Sequence, residues 1–67
     1  MDIETKTLGK VVVEPIGYIS VEEFTDDSIK GISIRVNVEN GNEVIMDVSR
    51  CDLECIRDMI TYVCDGL

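Results

Sequence analysis

Ile32-Ser33-Ile34-Arg35-Val36-Asn37-Val38-Glu39-Asn40-Gly41-Asn42-Glu43-Val44-Ile45-Met46-Asp47-Val48 decides the fold. Ile32, Ile34, Val36 and Val38 recur at every second position, and so do Val44, Met46 and Val48. That period of two is the mark of strands with one buried face. A two-residue Asn40-Gly41 turn would face Val38 with Glu43 and scatter apolar residues over both faces. A three-residue loop, Asn40-Gly41-Asn42, pairs Val38 with Val44, Val36 with Met46 and Ile34 with Val48. Because a one-residue slip turns every side chain over, the apolar face selects the second pairing. It asks for a left-handed Asn42, which Asn tolerates better than most residues. It also sets Arg35 opposite Asp47 and Glu39 opposite Glu43.

A second hairpin precedes the first. Leu8–Glu14 is rich in valine, Pro15-Ile16-Gly17 reads as its loop, and Tyr18–Phe24 as the return strand. This loop pairs Val13 with Ile19, Val11 with Val21 and Lys10 with Glu22. Met1–Thr7 has no period and reads as a loose lead-in or a frayed first strand. Gly31 is the expected place for a bulge.

After Val48, Ser49 with Asp52 three residues on reads as a helix cap, close to a capping box. The helix should run from Arg50 to Cys64 or Asp65, with Gly66 as terminator. Its main apolar stripe is Leu53, Ile56, Ile60, Val63 and Cys64. A flanking set of Cys51, Cys55, Met59 and Tyr62 widens the apolar arc to about 220°. One sheet covers little more than about 100° of a helix. The surplus points to a second contact surface, and a homodimer is its simplest form. The whole therefore reads as one α+β domain over residues 1–67. A four-stranded antiparallel meander carries one C-terminal helix packed on one face, in the order β-β-β-β-α.

Composition narrows the function. The 67 residues hold fourteen acids and six bases, a net charge of −8. Such a chain is repelled by nucleic acid and anionic membranes and attracted to basic surfaces. Apolar content of 45% suits a globular chain. No run reaches the ~18 apolar residues of a membrane span. Three cysteines, Cys51, Cys55 and Cys64, form no framework, so a reducing, cytoplasmic setting is expected. There is no histidine. Cys51 and Cys55 share a helix face but Cys64 does not, which is a poor zinc set. The acids around Cys51 and the missing base argue against a nucleophilic thiol. No metal, cofactor or catalytic residue is expected, and the chain reads as a non-enzyme.

Surface carboxylates are left as the working groups. Glu22, Glu23, Asp26 and Asp27 lie close in sequence at the end of the second strand. Glu39 and Glu43 flank the Asn-Gly-Asn loop. Duplex DNA carries one charge per ~1.7 Å, and carboxylates on a rigid sheet can imitate that density. The expected partner is a protein with a basic, nucleic-acid-binding surface.

Ile34-Arg35-Val36-Asn37, the loop Gly41-Asn42-Glu43 and the return strand Val44-Ile45-Met46 resemble part of the small acidic anti-CRISPR proteins of phages. The resemblance covers about thirty residues. Members of that group are acidic αβ proteins, some of which occupy a nuclease's DNA-reading site with surface carboxylates. It implies contact through Glu39 and Glu43. This chain departs from the group by lacking a helix before the sheet.

Overall fold

The computed structural model describes residues 3–67. Four strands, β1 (Ile3–Val13), β2 (Gly17–Asp26), β3 (Ile29–Val38) and β4 (Glu43–Val48), are followed by one helix, α1 (Arg50–Asp65). The sheet is an antiparallel meander in the order β1-β2-β3-β4. The α+β class and the order of elements are those the sequence predicts.

Both hairpins differ from expectation in register, by two residues each. Val36 pairs with Val44, Ile34 with Met46 and Ile32 with Val48. The Val38 N–H donates to the Asn42 carbonyl at 2.8 Å, and the Gly41 N–H to the Val38 carbonyl at 2.9 Å. The loop is therefore Glu39–Asn42. Its left-handed residue is Gly41 (φ 89), not Asn42. Glycine takes that conformation without a Cβ penalty, which asparagine would meet in part. Arg35 now faces Ile45 rather than Asp47, and Glu43 faces Asn37 rather than Glu39.

At the first hairpin Val13 pairs with Gly17, Val11 with Ile19 and Lys10 with Ser20. Pro15 follows a cis peptide, and the Ile16 N–H donates to the Val13 carbonyl at 2.8 Å. Gly17 is thus the first residue of β2 rather than the last of the loop. A shift of two preserves parity, so the apolar face survives both corrections.

Two further expectations are corrected at the amino-terminal strand and its neighbours. The lead-in is ordered as strand from Ile3, because Glu22–Asp26 extend β2 and offer it a paired edge. Met1 and Asp2 lie outside the described residues. The bulge falls between Thr7 and Gly9, at Leu8, and not at Gly31. Gly31 instead lies under the Phe24 ring: a Cβ there would come within 2.3 Å of the ring's Cζ. A cross-strand aromatic covering a glycine restores packing the glycine lacks.

The helix begins as predicted. The Asp52 N–H donates to Ser49 Oγ at 3.1 Å, and the Ser49 N–H donates to Asp52 Oδ2 at 2.9 Å. This capping box satisfies two of the donors a helix start leaves free. The bond from the Ser49 backbone, and then the bond with the Ser49 side chain, hold the Asp52 carboxyl below its usual pKa. A carboxyl with a lowered folded pKa stabilises the fold fully above its unfolded value and loses that contribution as pH falls through the folded one. Asp52→Asn should therefore reduce helicity at pH 7. The difference from wild type should vanish as pH falls through the lowered Asp52 pKa, followed by circular dichroism at 222 nm. Ser49→Ala should cost about 1 kcal/mol at pH 7.

The expected seat of α1 on the sheet is not found. Leu53 and Ile56 are only half-buried, and Ile60 and Val63 are 52% and 51% exposed. No hydrophobic residue among those described is fully buried. A single residue, Ser49, joins β4 to the helix, and its extended backbone (φ −88, ψ 168) carries the chain onward. The radius of gyration is 13.6 Å, against about 11 Å for a compact chain of this length. The molecule is a thin plate with a helix standing off one end.

Candidate functional site

Register and alternation assign every strand residue to one of two faces. The first face is built of cross-strand rows. Val11, Ile19, Val36 and Val44 form one row, and Gly9, Val21, Ile34 and Met46 the next. Its central members Val21, Ile34 and Val36 are half-buried by their neighbours, but Val11 and Val44 are each 64% exposed.

The second face is mixed, with a polar centre flanked by Val12, Tyr18, Phe24 and Ile45. Ser20 and Ser33, exposed by 2% and 5%, are the two fully buried residues among those described. Both lie beside Arg35. Its Nε donates to Glu22 Oε1 at 3.2 Å, and its Nη1 donates to Glu43 Oε1. Glu22 also accepts from Ser20 Oγ at 3.3 Å, and Glu43 from Asn37 Nδ2 at 3.4 Å. One guanidinium thus holds two carboxylates from two neighbouring strands, with Arg35 between them on β3. Nearby, the Lys10 ammonium sits 4.1 Å from the Tyr18 ring centre. A shallow trough of about 370 Å³ opens beside this network, lined in part by Phe24, Asp26, Ser33, Ile45 and Asp47.

The predicted acidic residues divide accordingly. Glu22 and Glu43 share the single positive charge of Arg35 and belong to the sheet's own polar network. Glu23 is half-buried and lies on the apolar face, in the row of Lys6 and Ile32. Glu22 and Glu23 therefore point to opposite sides, as consecutive strand residues must. Asp26 and Asp27 stand at the β2–β3 turn, where Asp27 takes a left-handed φ of 56. Glu39 is exposed in the loop at the opposite end of the sheet. Among the described residues no ion pair engages Asp26, Asp27 or Glu39. The structure thus does not gather the six acids into one patch.

Sequence reasoning missed Arg35 as the organiser of the polar face. The signal was available: a lone arginine alternating with valines, with glutamates on the strands at either side. Recognising it required the register. The flank residues Cys51, Cys55, Met59 and Tyr62 are all exposed, Tyr62 by 82%. Among the described residues no three metal-ligating side chains come together, and no helix is long and apolar enough to cross a membrane. Comparison with known proteins finds no matching family model, curated protein or solved structure.

Proposed function

We propose that this protein is a non-catalytic inhibitor or adaptor that binds a basic surface of a partner protein, with its carboxylates standing in for those of a nucleic acid. The observation that carries this reading is the division of the acids. Glu22 and Glu43 in mid-sheet are held by Arg35, while among the described residues no ion pair engages Asp26, Asp27 and Glu39 at the two hairpin ends. A net charge of −8 supplies the long-range attraction. The resemblance to acidic anti-CRISPR proteins supports the same class of role, with Glu39 as the contact that Arg35 does not already hold.

The test is capture of a partner from host lysate on the immobilised protein. The captured protein should elute with rising salt and be displaced by duplex DNA. Asp26→Lys, Asp27→Lys and Glu39→Lys together should weaken it by roughly tenfold or more. Glu54→Lys, Asp58→Lys and Asp65→Lys on the helix serve as the control of equal charge. Capture of the same partner by the hairpin-tip variant, insensitive to salt, contradicts the proposal.

A second reading is a homodimeric interaction module assembled through the helix flank. The exposure of Cys51, Cys55, Met59 and Tyr62 on an uncovered helix favours it. The two readings are compatible, since a dimer would display two sets of hairpin tips.

A further inference from the structure

We infer that the open apolar face of the sheet is the seat for α1 of a second copy of this chain, placed reciprocally. The contact uses the main stripe Leu53, Ile56, Ile60 and Val63, rather than the flank of the second reading above. Four observations carry it.

The first is area. A folded monomer of 7.5 kDa exposes about 4,250 Å². This chain exposes 5464 Å², an excess of about 1,200 Å². Two chains together carry roughly 2,400 Å² of surplus, within the range of obligate dimer interfaces. Surplus of that size belongs to a chain whose core is completed by another.

The second is chemistry. Both surfaces are apolar and both lack cover within the chain. Val44 and Met46 are 64% and 54% exposed on the sheet, Ile60 and Val63 52% and 51% on the helix. An apolar face this continuous, spread over four strands, is more than scattered surface hydrophobics.

The third is dimension. Leu53 to Val63 spans ten residue steps, about 15 Å of helix. Four strands span about 15 Å from β1 to β4. The stripe crosses the sheet once and ends at its edge. The row containing Gly9 leaves a low point between Val11 and its neighbours, where a helical side chain can enter.

The fourth is charge. The carboxylates on this face of the sheet are Glu23 and Glu4, at the end of the sheet away from Val44 and each in a row with a lysine, Lys6 and Lys30, and the acids and arginines of α1 lie off the stripe. Asp52, Glu54 and Asp58 are exposed and would stay outside a helix-on-sheet contact. Two-fold symmetry closes the arrangement, because each chain offers one helix and one sheet to the other.

The experiment is the mass of the full chain in solution by sedimentation velocity, from 1 to 100 μM. The expected value is about twice the 7.5 kDa of one chain, unchanged or strengthened by added salt, which screens the repulsion of two acidic copies. Met46→Asp and Ile60→Asp alter residues more than half exposed in the single chain. Each should weaken the dimer by roughly a hundredfold or more. Tyr62→Asp on the helix flank and Ile45→Asp on the opposite sheet face should leave it intact. Mixing Met46→Asp with Ile60→Asp should restore one of the two seats and recover part of the dimer. A variant that fails to fold for its own reasons would not do so. A wild-type monomer at 100 μM overturns the inference. So does a dimer that survives Met46→Asp and Ile60→Asp but is lost with Tyr62→Asp, an outcome that leaves the flank reading standing.

Discussion

Gly17→Ala should remove more than half of the chain's stability at 25 °C. A Cβ on Gly17 would lie 1.8 Å from the Asn37 carbonyl oxygen and 2.8 Å from its carbon. Both are backbone atoms of β3, fixed by pairing across the centre of the sheet, so no side-chain rotation relieves the collision. The backbone of Gly17 also holds φ at 153, a conformation side chains rarely adopt. The two effects together should cost about 3 kcal/mol or more. A domain of this size has little more than about 5 kcal/mol to lose. Gly9→Ala is the matched control, since nothing lies within 4 Å of its added methyl. Urea titration followed by circular dichroism should show Gly9→Ala near wild type and Gly17→Ala with a midpoint less than half that of wild type. A folded Gly17→Ala with an unchanged midpoint would contradict the position assigned to Asn37.

Arg35→Met should be the second large effect. The Arg35 side chain is three-quarters buried, and it holds Glu22, whose side chain is only 12% exposed. Without it, Glu22 and Glu43 lie near each other on one face with no counter-charge. Removing one partner from a partly buried ionic network costs about 2–4 kcal/mol, because the remaining charges are left without compensation. Removing the stranded charges as well should return much of the loss. Arg35→Met with Glu22→Gln and Glu43→Gln should therefore be more stable than Arg35→Met alone. Additive losses in the triple variant would show that the three side chains do not form one network.

These two residues show what the letters disclosed and what they withheld. The period of two in Ile32–Val48 disclosed the hairpin, its apolar face and the meander. Ser49 and Asp52 disclosed the helix start down to its two hydrogen bonds. Turn geometry was withheld. In both hairpins the observed register differs by two residues from the one that a three-residue loop implies. A shift of two costs the apolar face nothing, so hydrophobic pattern alone cannot choose between the registers. Local turn bonds decide, at Val38 and Asn42 in one loop and at Val13 and Ile16 in the other. The candidate site depended on that choice. Glu39 and Glu43 were expected to repel each other across the loop. In the observed register Glu43 instead faces Asn37 and reaches Arg35. The position of the helix was withheld for a different reason. An apolar stripe states that a surface needs cover, but not whether the same chain provides it. The surplus of apolar arc at Met59 and Tyr62 was a partial signal, read as an addition to an intramolecular core that the structure does not contain.

The proposed dimer closes the apolar sheet of each chain with the helix of the other. An isotope-filtered nuclear Overhauser experiment on an equal mixture of ¹³C-labelled and unlabelled chains tests this most directly. Cross-peaks are expected between the Ile60 methyls of one chain and the Val44 and Met46 methyls of the other. Ile60 contacts with Val44 and Met46 found solely within single labelled chains would contradict it.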